Sequence, residues 1–313
     1  MGWLMVVSTI VLAFAVFVGQ RFYALNHLTL ANRELTRNHL PRCRLLQDIE
    51  FGAEDITILR DGLAILSTGL KYPGLPSYSD DPGKIYTLDM LDPSLTPVPL
   101  HIEGDFDQKS FNPHGISAFT DENDRSIYLF VVNHPYHESQ VEIFQFLEEK
   151  NSIVHLKTIK HDLLHHVNDI VAVGTDSFYA TNDRYSSHDA VGFLVTIFGL
   201  AWCDVVYYSP AKVEVVAKGF YSANGINISP DHRYLYVSDI FKHAIEVLEI
   251  QKRDLLVPVK VIKIKNIHSD QPIVRQVYAD DGSVIIGSSV AARYGGKLLI
   301  GTVYQRALCC DLR

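Results

Sequence analysis

The sequence predicts an all-β fold, a β-propeller, preceded by an N-terminal apolar helix. Three observations carry that reading. The first 20 residues have no side-chain charge. Beyond residue 45 the chain is built of short β-type runs and turn residues, with little helical periodicity. A segment pattern returns about every 55 residues.

The opening stretch, "MGWLMVVSTIVLAFAVFVGQ", suits three roles: a secretory signal, a membrane anchor or a buried helix. It is long for a signal and lacks a convincing A-x-A cleavage site, and chain termini are rarely core. Arg21, Arg33, Arg37, Arg42 and Arg44 follow it and no basic residue precedes it. Taken alone, the positive-inside rule would leave the rest of the chain in the cytosol.

The body has room for a large core. Of 313 residues, 47% are hydrophobic, and 16 Tyr and 15 Phe against 3 Met lean towards β-structure. The net charge of −8, with no long basic run, argues against a nucleic-acid partner and is compatible with binding a cation.

The repeat is visible in "HGISAFTDENDRSIYLFVVNHPYHESQVEIFQF" from His114 and "NGINISPDHRYLYVSDIFKHAIEVLEI" from Asn224. Each runs from a polar residue through Gly-Ile and a short strand to an Asp-containing turn, an apolar strand, a loop and a third strand. "NDIVAVGTDSFYATND" from Asn168 is a shorter version, and looser ones start at Glu54 and near Ser288. The mouths fall at 54, 114, 168, 224 and about 288, so the spacings are 60, 54, 56 and about 64. Three or four strands per period of that size describe propeller blades. The innermost strand of each blade borders the central channel, so one mouth residue per blade can face a common axis.

Those mouth residues are Glu54, His114, Asn168 and Asn224. A carboxylate and two amide oxygens are hard donors, the set that Ca2+ prefers. In the doublets Glu54-Asp55 and Asn168-Asp169 adjacent strand residues point in opposite directions. One doublet can therefore serve two sites, Glu54 with Asn168 and Asp55 with Asp169. Singly, each residue also reads as an ordinary turn cap; repetition at one structural position favours a shared site. The sequon Asn227-Ile228-Ser229 falls inside a predicted inner strand, where burial is expected.

Four cysteines, Cys43, Cys203, Cys309 and Cys310, allow three full pairings or four reduced thiols. A bridge joining the two chain ends would suit a closed ring.

The stretches "FNPHGIS", "VVNHP", "VNDIVAVG", "FYATND", "ANGINIS", "GKLLIGTV" and "STGLKYPG" resemble the paraoxonase family, from about residue 40 to the C-terminus. The resemblance implies a six-bladed propeller with two calcium ions that hydrolyses lactones, aryl esters and some organophosphates. It implies Glu54, Asn168 and Asn224 as ligands of a catalytic calcium. Asp55, Asp169 and the carbonyl of Ile116 would hold a structural one. His114 and His134 match a histidine dyad, Tyr72 a residue at the active-site mouth, and Cys43 and Cys310 a ring-closing bridge. The N-terminal segment resembles a signal that is kept and attaches the protein to lipoprotein or membrane, which implies secretion against the local charge rule. The domains are then 1–40, a retained signal or anchor with an amphipathic segment, and 41–313, the propeller.

The residue types agree with that chemistry. An ester carbonyl needs an electrophile and an activated water. A neutral imidazole at His114 suits the second task, with His134 orienting it or passing the proton on. No G-x-S-x-G elbow occurs, which speaks against a serine hydrolase.

One stretch departs from the pattern. After "LLVPVKVIKI", ending at residue 264, "KNIHSDQPIVRQVYADDG" follows directly, where the family resemblance implies another mouth with an Asp-Asn pair. By the repeat length, roughly 40 to 45 residues are absent, close to one blade. No Asp-Asn pair occurs after Asn224, and neither Asp270 nor Asp280 begins a strand of the right pattern. The family fold is thus expected with one blade largely deleted and two catalytic-calcium ligands lost. Two functions compete: a calcium-dependent lactonase and arylesterase with impaired activity, or a secreted, lipid-associated propeller that no longer catalyses.

Overall fold

The computed structural model describes residues 2–29, 40–72, 80–186, 188–250, 256–260, 277–278, 280, 284–285, 288–303 and 305–312. Most of the expected amphipathic segment before residue 40, the stretch just beyond 264 and Asp270 lie outside the described residues.

The charge-free stretch forms helix α1 (Gly2–Thr29). Among the described residues it is the one helix long and apolar enough to cross a membrane. The strands follow. They are β1 (Arg44–Leu45), β2 (Ile56–Ile58), β3 (Leu63–Thr68), β4 (Lys84–Asp89), β5 (Val98–Pro99), β6 (His101–Glu103), β7 (Pro113–Thr120) and β8 (Ile127–Asn133). Next come β9 (Gln140–Leu147), β10 (Ser152–Ile159), β11 (Val167–Gly174) and β12 (Ser177–Asn182). Helix α2 (Asp189–Phe198) interrupts the third repeat. The rest are β13 (Cys203–Ser209), β14 (Lys212–Phe220), β15 (Ala223–Ile228), β16 (Tyr234–Asp239), β17 (Ala244–Ile250), β18 (Leu256–Lys260), β19 (Ser288–Tyr294), β20 (Lys297–Thr302) and β21 (Leu308–Asp311).

These strands make five sheets. Blade 1 is β2-β3-β4-β5, blade 3 β11-β12-β13-β14 and blade 4 β15-β16-β17-β18. Blade 2 is β7-β8-β9-β10 with β6 added in parallel at its outer edge. Blade 5 joins both ends of the chain: β19, β20 and β21 come from the C-terminus, and β1 pairs antiparallel with β21 as the outermost strand. Cys43 and Cys310 form a disulfide across that closure. Cys203 and Cys309 are free and buried. Cys309 and Cys310 lie on opposite faces of β21, as adjacent strand residues must.

Period-2 alternation explains how blades hold one another. On β8, Leu129 and Val131 enter the core shared with blade 1, and Phe130 and Val132 the core shared with blade 3. On β9 the same division sends Phe144 and Phe146 one way, Val141 and Ile143 the other. Blade 2 is apolar on both faces because it is covered on both. Truncating one such buried Phe to Ala costs about 3–5 kcal/mol.

Four interblade cores result: 5 with 1, 1 with 2, 2 with 3 and 3 with 4. Among the described residues no core joins blade 4 to blade 5. Leu235 and Val237 of β16 pack towards blade 3, while Tyr236 and Ser238 of the same strand line the central channel. The other face of blade 5 has its own cluster of Leu298, Ile300, Leu308, Cys310 and Ile285. The chain departs from the repeat pattern at this seam.

Asn227 corrects a sequence expectation. It lies on inner strand β15 as predicted, yet it is exposed to the channel, because the neighbour on that side of blade 4 is not the one the repeat pattern assumes.

Candidate functional site

Inner strands β2, β7, β11, β15 and β19 surround the channel, and the predicted mouth residues sit at their beginnings. A repeated local device turns them inward. The ladder slips between Pro113 and Ile116 in β7, between Val167 and Ile170 in β11, and between Ala223 and Ile226 in β15. Each slip is a bulge that frees two residues from regular pairing. The freed pairs are His114-Gly115, Asn168-Asp169 and Asn224-Gly225. In blade 1 the corresponding pair, Glu54-Asp55, just precedes β2 and is held by backbone bonds to Ser67.

The doublets divide as the alternation predicts. Asp55 reaches into blade 2, where its Oδ2 accepts the Ile116 N–H at 2.6 Å. Asp169 repeats this in blade 4, accepting the Ile226 N–H at 2.8 Å. Each also accepts the N–H of its own next residue, Ile56 or Ile170, at 2.7 Å. Burial pushes the Asp55 carboxyl up to about 6, helped by the Glu54 charge, despite those bonds. Burial and the Asp55 charge push Asp169 well above the ordinary carboxylate range. Gly115 makes the approach possible: a Cβ there would lie 2.6 Å from Asp169 Oδ1 and from the Asn168 carbonyl.

On the other side of the doublets, Glu54, His114 and His134 form a chain of buried groups. Glu54 Oε1 lies 3.5 Å from His114 Nε2, His114 Nδ1 is 3.1 Å from His134 Nε2, and His134 Nδ1 is 3.1 Å from the Glu138 carbonyl. The tautomers follow from the far end. A carbonyl only accepts, so His134 carries its proton on Nδ1 and accepts on Nε2. His114 therefore donates from Nδ1, and its Nε2 is bare when the ring is neutral. Burial, with the charges of His114 and His166, holds His134 down to about 3. Burial also opposes charge on His114, but the Glu54 carboxylate outweighs it and raises this imidazole.

The structure adds a cluster that the sequence reading did not single out. Asp183, just after β12, accepts from His166 Nδ1 at 2.6 Å, from the Tyr72 hydroxyl at 2.6 Å and from Asn168 Nδ2 at 3.1 Å. Although burial works against its charge, the His166 bond and charge hold Asp183 at about 2. Tyr72 stands edge-on to His114 and to His166, 5.9 Å between centroids in each case, with the Arg184 guanidinium 4.8 Å above its ring. Asp183 lay within the quoted "FYATND" and His166 just before the quoted "VNDIVAVG"; their spacing to Asn168 was the available signal.

Asn224 is half-buried, and its carbonyl accepts from Thr181 at 2.7 Å. Among the described residues no three His, Cys, Asp or Glu converge as a metal centre. A cation at these mouths would rely on amide and carbonyl oxygens beside single carboxylates, a donor set that suits a hard ion. The buried Asp55 and the half-buried Asp169, mutually repelling and given room by Gly115, fit a divalent ion. A channel cavity of about 1140 Å³ begins at these two residues and runs away from Glu54 and His114, towards Arg60, Asn123 and Arg293. The histidine chain therefore lies at the opposite mouth.

Known proteins resemble this chain along its length. The arylesterase family model matches residues 34–264 and 257–312, breaking at the stretch where the repeat departs. The chain is 46% identical to serum paraoxonase/arylesterase 2 of Rattus norvegicus over 356 aligned positions, covering 100% of both chains. Those 356 positions exceed the 313 residues by 43, so about 43 positions of the relative face no residue here. Identity is 47% to the Homo sapiens protein of that name, again over 100% of both. It is 42% to Homo sapiens serum paraoxonase/lactonase 3, covering 94% of this chain and 96% of that one. A solved gluconolactonase from Xanthomonas campestris superposes with a TM-score of 0.52 at 12% identity, covering 90% of this chain and 99% of that one. That likeness concerns the fold alone.

Proposed function

The chain belongs to the paraoxonase/arylesterase family, and from that premise we propose that it is a calcium-dependent hydrolase of lactones and aryl esters. One observation carries the reading: the order Glu54, His114, His134, Glu138 carbonyl, which leaves His114 Nε2 as the bare nitrogen beside a carboxylate.

In this reading Glu54, Asn168 and Asn224 hold one calcium, and Asp55, Asp169 and the Ile116 carbonyl a second. The ion beside Glu54, when bound, supplies the positive charge that polarises a carbonyl. His114 takes a proton from water at Nε2 while its Nδ1–H stays donated to His134 Nε2. His134, held down to about 3, stays neutral at working pH, so it remains an acceptor and orients His114 without competing for the proton. Neutralising the Glu54 charge removes the largest influence that keeps a proton on His114. Tyr72 positions the substrate at the mouth.

The 43 unmatched positions support impaired activity, since two further ligands of the catalytic calcium are expected there. They also favour a second reading, a non-catalytic propeller that keeps the Asp55–Asp169 site. Both readings place the protein outside the cell on lipoprotein or membrane. Helix α1 exposes Trp3, Leu4 and Phe14; it meets α2 through Phe17 stacked on Phe198 at 5.7 Å and Arg21 bonded to the Phe198 carbonyl. Phe193, Leu194 and Trp202 are exposed beside it. Lactone hydrolysis by the purified protein, with and without chelator, decides between the two. Hydrolysis that chelation and His114→Gln both abolish supports the enzyme; none at saturating calcium supports the second reading.

A further inference from the structure

Asp183 bonds three site groups from two parts of the chain: Tyr72 before β4, and His166 and Asn168 at the start of β11. Its side chain is 5% exposed and that of His166 9%, so neither bond is shared with bulk water. An ionised carboxylate only accepts, so the Asn168 amide must present its nitrogen to Asp183. Its oxygen is then turned to the opposite side. Two backbone-anchored bonds keep the pair in register: Asp183 N–H donates to the His166 carbonyl at 3.2 Å, and His166 N–H to Asn182 Oδ1 at 3.1 Å. The same Asp183 oxygen that takes the Asn168 amide takes the Tyr72 hydroxyl.

We propose that Asp183, held by His166, is the positioning residue of the site. It fixes the Asn168 oxygen towards the cation position and ties Tyr72 to the same carboxylate, so one side chain sets cation affinity and substrate affinity together. The proposal rests on the functional reading above, in which Asn168 is a calcium ligand. Partners behind a metal ligand commonly govern affinity by about 10–100-fold.

The experiment is calcium titration by calorimetry on the full chain, with KM and kcat measured alongside. Asp183→Asn offers one acceptor and one donor where the carboxylate offered two acceptors, so either His166 or the Asn168–Tyr72 pair loses its partner. It is expected to weaken one calcium event about 10-fold or more and leave the other within about twofold. His166→Ala should do likewise, and His166→Asn, which restores an N–H near the Nδ1 position, should recover most of the loss. Tyr72→Phe should raise KM several-fold, by about 3–10-fold, with kcat little changed, the split that a substrate-positioning bond gives. Should Asp183→Asn fail to fold, the contrast between His166→Ala and His166→Asn decides alone. Unchanged calcium affinity in the Asp183 and His166 variants overturns the proposal. If Glu54→Gln alters neither calcium event in the otherwise unchanged protein, the functional reading itself is overturned, and the proposal with it.

Discussion

Asp55, buried, and Asp169, half-buried, meet side chain to side chain beside Gly115, brought together from blades 1 and 3. Burial and the Glu54 charge lift Asp55 from the ordinary 3.8 to about 6 in the cation-free protein. A folded-state value above the unfolded one means that folding favours the protonated form. The contribution is full below about pH 4 and is lost as pH rises through 6, by about 3 kcal/mol for a shift of this size. His134 pulls the other way, because it is held neutral down to about 3. A comparison with Asp55→Asn isolates the carboxyl. In chelator, the variant should gain in Tm on the unsubstituted protein as pH rises from about 4 to 6, and hold that gain above it. In saturating calcium it should fall below it, since a ligand that binds only the folded state stabilises it. Parallel Tm curves under both conditions would refute the cation role of Asp55.

Gly115 and Gly225 occupy equivalent bulge positions but differ in what a methyl group would meet. At Gly115 a Cβ would sit 2.6 Å from the Asn168 carbonyl, the Asp169 Cα and Asp169 Oδ1. At Gly225 the nearest atoms are Ser238 Oγ at 3.3 Å, on a rotatable side chain, and Asp169 Oδ2 at 3.8 Å. Gly115→Ala should therefore destabilise by about 1–3 kcal/mol or more, the usual range for overpacking, and Gly225→Ala by less than about 1 kcal/mol. Denaturant melts of the two variants check this; equal losses would contradict the geometry.

The Cys43–Cys310 bridge closes a loop with a sequence separation of 267. Beside it, β1 adds a two-residue strand to β21 and Arg42 pairs with Asp311. Backbone bonds from Leu46 to the Ala307 carbonyl and from Asp311 to the Pro41 carbonyl, and the packing of Leu46 and Ile49 with Leu299, add to the same closure, which the covalent link reinforces. Chain entropy puts the effect of so long a loop on the order of 5 kcal/mol, an upper figure for engineered and native bridges alike. The double variant Cys43→Ser/Cys310→Ser should melt well below the unsubstituted protein, with β1 first to lose amide protection. Hydrogen exchange in the β1–β21 ladder that stays unchanged would show that the strand pairing suffices.

How far the sequence carried this picture depends on the range of the interactions involved. The mouths at 114, 168, 224 and 288 fall on β7, β11, β15 and β19, and that at 54 just before β2, because alternation and turn residues act over a few positions. The opposite directions taken by Glu54 and Asp55, or by Asn168 and Asp169, follow from the same short-range rule. The Asp183–His166 pair is not legible locally, because their meeting depends on how the β11 bulge aligns with the end of β12, which no local pattern encodes. Exposure of Asn227 has a related cause. Burial on an inner strand depends on the blade beside it, and the chain departs from its repeat there.

The last expectation concerns the seam between blades 4 and 5. The calcium beside Glu54, in the proposed reading, keeps one carboxylate and two amides, with the remaining donors in the 43 positions that this chain lacks. Calcium affinity follows ligand charge and number, so this ion should bind far more weakly than the one at Asp55 and Asp169. Losing a single oxyanion donor already costs about 10²–10³ in rate in other hydrolases, and here the electrophile itself is loosely held. Lactone turnover at micromolar calcium should therefore lie at least about 10²-fold below that of a relative with the additional positions. His114 would still support a trace of base-assisted hydrolysis, removed by His114→Gln. Raising calcium to the millimolar range should restore part of the rate if weak binding is the main defect, and little if the remaining ligands are misplaced. Calorimetry separates those outcomes by showing whether the second site fills as the rate changes. Full turnover at micromolar calcium would show that another group has taken the vacant positions. Asp280 is already engaged by the Val284 and Ile285 amides, so it would have to give up those bonds to serve.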